Sequence, residues 1–587
     1  MTWTVNLSNS SLNSLVSSSI ADGSYSYQEV LNLLNTVAVG GITLSEWTDL
    51  KTVYTNSTSL FASDYVKTIT YNVVYENPAN KYWWDGAKTM AGVALLGNMS
   101  GTTTQVNAER LIAKWFLGQD VPMPISGGDT ATGKTSTATF DYSFATGQLF
   151  LNGAVASDVN QGALGDCYLV ASMGAIANTK TSFIYNSFID NGNGSYGVKF
   201  YVNGSTVYTT INKEIAVRSG NKIAFSGNIT DDLGGELWVS LLEKAYVQLN
   251  AQSNIDQTSF ENSYQAISGG LASPIKHISG INYKYYSSEF TSFSDSFDSG
   301  FYHSANANTY KKTIIDALNK GAIGWLGTWG WSKGANGKLN FISEPGKGGH
   351  AYMLLGYNSA TDKFIIRNPW GGDGSSSWNP QFEASIEEFW NSSQMGLVAL
   401  SDATLADPVY SYTITSNASN TANAVTEGGS VTFTITRSGS GAASTVFLST
   451  TPGSADASDY QALTKSALSF AANETAKTVT VKTLADSLTE GVENFKLDLF
   501  KAPHGHNRRG RRHGARQGRD RSNLQLRHLV RCGKAKFGCG GGRQGHLHDH
   551  PQRHRRRVHR VSERRAWNSR CDRLPELQQG RPEFRGV

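Results

Sequence analysis

Gln161-Gly-Ala-Leu-Gly-Asp-Cys167-Tyr-Leu-Val-Ala-Ser172 is the stretch on which the reading of the whole chain turns. Cys167 is the only cysteine in the first 500 residues. A Gly-rich turn ends there and an apolar run from Tyr168 to Ala177 begins, which predicts a buried helix with the thiol at its N-terminus. The positive end of the helix dipole and the unpaired first-turn N–H groups favour a thiolate. The competing reading, a cysteine packed as a small hydrophobe, holds only while no partner is in sight. Three histidines precede residue 501: His277, His303 and His350. His350 opens an apolar strand to Tyr357, Asn358-Ser-Ala-Thr-Asp362 reads as a turn, and Lys363 to Asn368 reads as a second strand ending before Pro369. A hairpin centred near residue 360 sets His350 close to Asn368. Cys, His and Asn in that order supply a nucleophile, a base and an amide to orient the base.

Four segments in register carry a family resemblance: Gln161 to Cys167, Glu236-Leu-Trp-Val-Ser-Leu-Leu-Glu-Lys-Ala-Tyr246, Gly349-His350-Ala-Tyr352, and Arg367-Asn368-Pro-Trp-Gly371. Together they resemble the catalytic core of the calpain family of cysteine peptidases, over roughly residues 140–402. The resemblance implies Cys167 as nucleophile, His350 as general base and acid, Asn368 as orienter, Gln161 as oxyanion-hole donor and Trp370 as the flanking indole. An oxyanion donor of this kind is worth about 3–4 kcal/mol. Tyr168 stands where the family has Trp. It further implies an α+β, papain-like core of two lobes, about 140–267 and 268–402, that form the site by closing. In the family, calcium drives that closure. Asp158 and Glu236 fall on first-lobe calcium positions and offer hard oxygen ligands, whereas Gly374 replaces the expected second-lobe Glu.

The 587 residues are enough for several domains. Residues 1–125 carry apolar residues at helical spacing and predict a mostly helical region without evident chemistry; a pro-segment, a docking module and a folding partner are the open roles. Pro122, Pro124 and the Gly-Thr-rich run after them mark a linker. Over residues 409–500 the pattern changes to short alternating strands, predicting an all-β sandwich. Val425-Thr-Glu427-Gly, the acids around Asp459, and Asp486 to Glu493 resemble a Calx-beta repeat. That resemblance implies calcium held by Glu427, Asp459, Asp486, Glu490 and Glu493.

After Phe500 the composition breaks. Residues 501–587 hold 24 Lys and Arg against 6 Asp and Glu, a charge of +18, while the first 500 residues carry −13. The tail has 21 Arg, no Tyr and 9 of the 12 histidines. This reads as translation in the wrong frame, giving a disordered tail and a sandwich that lacks its closing strand. A genuine basic arm for nucleic acid is the alternative. Cys532 and Cys539 near His546, His548 and His550 match no standard zinc spacing.

The expectation is therefore a monomeric, calcium-regulated cysteine endopeptidase acting on protein substrates, with no nucleic-acid partner. A non-catalytic adhesion protein that keeps the peptidase unit as a scaffold is the competing class. No apolar stretch reaches the length of a membrane span, and the N-terminus lacks the pattern of a cleavable signal peptide. Small polar composition suggests a bacterial protein, exported or cytoplasmic.

Overall fold

The computed structural model describes residues 5–127, 137–287, 301–303, 307–328, 331–333, 339–341, 349–371, 380–387, 397–402, 412–418, 423–437, 444–470, 474–485, 492–500 and 526–532, apart from the single positions 152, 229, 254, 258, 457 and 465.

The N-terminal region is helical, as its periodicity predicts. Its helices are α1 (Ser10–Ser19), α2 (Tyr27–Ala38), α3 (Leu44–Asn56), α4 (Asp64–Val74) and α5 (Gln105–Ile112). Ser26 with Glu29 and Thr43 with Glu46 form capping boxes that start α2 and α3. Leu12, Val16, Val30, Leu34, Ile69, Val73, Leu111 and Phe116 fill the core between them. A π-helical turn, Ala113–Leu117, extends α5 and stops at Gly118, whose φ of 64° is left-handed. A side chain at Gly118 would meet the backbone of Ile211, so the turn lies directly on a strand of the next body. Polar contacts fix that junction. The Trp115 carbonyl accepts from Thr210 Oγ1, which also meets the Tyr65 hydroxyl at 2.9 Å. The Phe116 carbonyl accepts from Ser195 Oγ at 3.2 Å. The Asp120 carbonyl accepts from Gln248 Nε2 at 3.1 Å and Asn262 Nδ2 at 3.2 Å.

The first lobe contains α6 (Cys167–Thr179), α7 (Ser182–Ser187) and α8 (Trp238–Asn250). Two three-stranded antiparallel sheets accompany them. One joins Phe188–Asp190, Ser195–Val202 and Ser205–Asn212; the other joins Asp141–Phe144, Glu214–Arg218 and Lys222–Ile223. In the second lobe a seven-stranded sheet runs in the order Phe301–His303, Tyr283–Ser287, Leu397–Ser401, Gly324–Thr328, His350–Asn358, Lys363–Arg367, Gln381–Ala384. Only its first pair is parallel. The helix α9 (Pro274–Ser279) packs on α6, α7 and the Ser195–Val202 strand. The chain enters the second sheet at Tyr283, after Gly280, a left-handed cap. The helix α10 (Ala307–Asn319) buries Tyr310 and Ile314 against that sheet.

A β-sandwich follows. Tyr412–Ser416, Ser430–Arg437 and Ala476–Lys482 form one sheet. Ser466–Phe470, Ser444–Pro452, Glu493–Phe500 and Leu526–Cys532 form the other. Val431, Phe433 and Ile435 from one face Val446, Leu448, Phe495, Leu497 and Leu499 from the other, the alternation that the sequence shows. Phe447 points outward and meets the first lobe, its ring 5.0 Å from that of Tyr185. Beyond Phe500 the structure departs from the expected open edge. Leu526–Cys532 pairs antiparallel with Glu493–Phe500, from Leu499 opposite Leu526 to Glu493 opposite Cys532. The physical reason is that an edge strand offers a row of unpaired N–H and C=O groups to any extended segment. The other tail residues, including Cys539, His546, His548 and His550, lie outside the described residues.

Candidate active site

Cys167 is the first residue of α6 and is partly exposed. Behind it, every residue from Tyr168 to Ala177 is buried, so the apolar run fixes the helix and leaves only its start at the surface. Tyr168 does not line the cleft as a substitute indole would. Its ring stands under Gly270, where a Cβ would come within 2.6 Å, and its hydroxyl donates to the Ile267 carbonyl at 3.1 Å. The α6 helix then lies across the second-lobe sheet, with Gly174 against Met353 of the His350 strand and the Trp325 indole N–H donating to the Tyr168 carbonyl at 3.2 Å.

The hairpin forms with the expected turn: Asn358 pairs with Lys363 and Met353 with Arg367, with a bulge between Leu354 and Gly356. His350 is 5 % exposed and Asn368 is fully buried. Their side chains meet through His350 Nε2 and Asn368 Oδ1 at 3.0 Å. The same Asn368 oxygen accepts from the Trp370 backbone N–H at 3.1 Å. The Trp370 ring lies 5.0 Å from the imidazole, and Tyr352 meets the imidazole edge-on at 4.8 Å. The imidazole is thus packed between two aromatic rings and oriented by an amide. Gln161 sits at the seam: its backbone N–H donates to the Pro369 carbonyl at 2.9 Å, tying the first lobe to the Asn368 segment. Its side-chain Nε2 donates to the Leu164 carbonyl at 2.7 Å and reaches Asp166 Oδ1 at 3.4 Å.

Burial first, and then the charges of Glu236 and Asp158, raise the Tyr185 hydroxyl above its ordinary pKa. Asp158 Oδ2 accepts from the Val155 N–H at 2.7 Å and the Trp238 indole at 3.1 Å, while Glu236 Oε1 accepts from the Leu151 N–H at 2.8 Å. Burial raises the Asp158 carboxyl above its usual range, against the opposing pull of those N–H groups and of the Arg367 guanidinium. Arg367, quoted in the sequence motif without a role, is buried and donates to the Ser157 carbonyl at 3.3 Å. Among the described residues no group of three or more His, Cys, Asp or Glu side chains is arranged to hold a metal ion.

At the sandwich end, the Gly429 carbonyl accepts from the Thr483 N–H and the Asp459 carbonyl from the Leu484 N–H at 2.8 Å. The Ala455 N–H donates to the Asn494 carbonyl. These links carry the loops of Glu427 and Asp459 and the strand start at Glu493 to one end of the sandwich. Gly374, Asp486 and Glu490 lie outside the described residues.

Two buried acids were missed as functional candidates: Asp166, immediately before the thiol, and Glu243, 1 % exposed within α8. The available signal was the adjacent pair of charges, Glu243 and Lys244, inside the otherwise apolar Leu241-Leu-Glu-Lys-Ala-Tyr246.

A thiol at a helix start and a hairpin that binds a histidine to an asparagine are the groups that nucleophilic thiol catalysis calls for. Residues 141–402 match the model of the calpain family cysteine protease, and residues 413–516 that of the Calx-beta domain. The chain carries a calpain family cysteine protease domain followed by a Calx-beta domain. Similar curated proteins include Calpain-8 of Mus musculus, 29 % identical over 275 residues, covering 42 % of this chain and 34 % of that protein. The Calpain-1 catalytic subunit of Bos taurus is 27 % identical over 310 residues, covering 46 % of this chain and 38 % of that protein. The Calpain-2 catalytic subunit of Homo sapiens is 26 % identical over 252 residues, covering 40 % and 31 %. The chain therefore spans about a third of the length of these relatives. Among solved structures, the apo-form Calx CBD1 domain is 21 % identical, covering 13 % of this chain and 72 % of that one, with a TM-score of 0.13, too low to carry an argument.

Proposed function

We propose that the protein is a cysteine endopeptidase that hydrolyses peptide bonds through Cys167, His350 and Asn368. The observation that supports it best is the buried bond of 3.0 Å between His350 Nε2 and Asn368 Oδ1, which fixes the orientation of the imidazole. In this reading His350 takes the thiol proton, Cys167 Sγ attacks the carbonyl carbon, and His350 returns the proton to the leaving amine. Water then attacks the acyl-enzyme with His350 as base. Asn368 holds the imidazole and stabilises the imidazolium. The Cys167 N–H receives the oxyanion, joined by a Gln161 Nε2 N–H once it turns from the Leu164 carbonyl, and the Trp370 ring shields the His350–Asn368 bond. Cys167→Ala should abolish hydrolysis of a protein substrate, and His350→Ala nearly so. Wild-type turnover in Cys167→Ala would end the assignment.

Calcium control forms the second part of the proposal. Asp158 and Glu236 would hold the ion: two carboxylates, each anchored by an N–H donor, are hard oxygen ligands. The Asp158 loop reaches the Asn368 strand through Arg367 and the Ser157 carbonyl, so an ion there would steady the seam between the lobes. Activity should rise with calcium, and Asp158→Asn should raise the concentration needed. Full activity in strong chelator would leave both acids without that role.

A further inference from the structure

Asp166 occupies the N-cap position of α6 yet does not cap it: its side chain takes no bond from the first-turn N–H groups. This is unusual, because an N-cap Asp ordinarily accepts from the second or third helical N–H. The carboxyl is fully buried and turned into the first lobe, where it meets Glu243 of α8. Both Glu243 oxygens accept from the Ser226 backbone N–H, at 3.1 and 3.0 Å. Asp166 Oδ1 receives Gln161 Nε2 at 3.4 Å, and Asp166 Oδ2 has no donor. The phenols of Tyr142, Tyr168 and Tyr264 lie within electrostatic reach of the pair. Phe225 stacks on Tyr264 at 3.8 Å and helps close the pocket. Two carboxylates side by side in such a place cannot both be ionised. A proton between them supplies the donor that Asp166 Oδ2 lacks.

We propose that Asp166 and Glu243 share one proton and act as a positioning pair, holding the Gln161 amide and the first turn of the Cys167 helix in the geometry that acyl transfer needs. Burial is the first cause of the raised proton affinity of both groups; it lifts Asp166 well above the carboxylate range and Glu243 to about 6. The remaining single negative charge is shared behind the helix start. One end of the pair rests on the backbone at Ser226, and the other on Gln161, which is bonded across the seam to Pro369. A shift of the pair therefore moves the oxyanion donor relative to the thiol. This assignment rests on the peptidase reading of Cys167 and Gln161.

The test uses the full chain, with infrared spectroscopy beside peptide kinetics. The wild type should show the band of a neutral carboxylic acid at neutral pH, and Glu243→Gln, whose amide N–H replaces the shared proton, should lack it. Absence of that band in the wild type would mean two ionised carboxylates and would overturn the proposal, whatever the activity. In kinetics, Glu243→Gln should lose about threefold in kcat, whereas Glu243→Leu, which removes both acceptors, should lose about 100-fold with KM little changed. A folded Glu243→Leu with wild-type kcat would overturn the positioning role. Should Glu243→Leu fail to fold, a 100-fold loss in folded Glu243→Gln would overturn it instead, since a hydrogen-bonding replacement must rescue. A neutral-acid band in a wild type that cleaves no peptide would refute the peptidase reading and leave the shared proton standing.

Discussion

Removing the Asn368 side chain tests the proposed site at its most buried point. Asn368 Oδ1 accepts two bonds, from His350 Nε2 at 3.0 Å and from the Trp370 N–H at 3.1 Å. In Asn368→Ala the imidazole N–H, on a residue only 5 % exposed, loses its acceptor with little water to replace it. An orphaned buried donor costs about 1–3 kcal/mol. That penalty is felt most when the ring becomes an imidazolium, so it falls on the transition state more than on substrate binding. At about 1.4 kcal/mol per tenfold, kcat should fall about 5- to 150-fold, with KM changed less than about threefold. Cys167→Ala and His350→Ala remove the chemistry itself and should cost far more. The assay is hydrolysis of a fluorogenic peptide over a range of concentrations, beside thermal unfolding to show that the variant is folded. A folded Asn368→Ala whose kcat stays within twofold of wild type would refute the orienting role.

Two further outcomes can be measured. A Cβ at Gly162 would stand inside van der Waals reach of the Phe225 and Ala224 carbonyl oxygens, which are backbone and cannot swing aside; Gly162→Ala should cost about 1–3 kcal/mol and lower kcat by displacing Gln161, and unchanged Tm and kcat would contradict this. His277 is buried against the Tyr246 hydroxyl at 2.8 Å, and burial lowers its pKa from 6.5 to about 4. The unfolded chain takes up a proton between those values and the folded one does not, so stability should fall as pH drops from about 6.5 to about 4, by at most about 3 kcal/mol. A urea-midpoint series in His277→Gln should lose that part of the slope; an unchanged slope would assign it to other groups.

The site was legible wherever its geometry is local. The hairpin could be read because the turn at Asn358 to Asp362 sets the register, and the bulge at Leu354 to Gly356 adjusts it by one position. The helix behind Cys167 could be read from an uninterrupted apolar run. The pairing of Asp166 with Glu243 could not, since nothing local links residues 77 positions apart; only the packing of α8 under α6 brings them together. Arg367 and Asp158 were invisible as neighbours for the same reason. In the sandwich, alternation gave the strands up to Phe500, but a partner across the 25 residues between Phe500 and Leu526 leaves no such pattern.

The junction at Gly118 also has a bearing on how the chain is made. Trp115, Phe116 and Tyr65 leave the ribosome well before Ser195 and Thr210, their bonding partners, have been translated. During that interval the helical region presents an unfinished face, and the strand Ser205–Asn212 completes it on arrival. A cut in the gene near codon 125 would separate halves of a shared surface, and either half expressed alone would leave its own side of it bare.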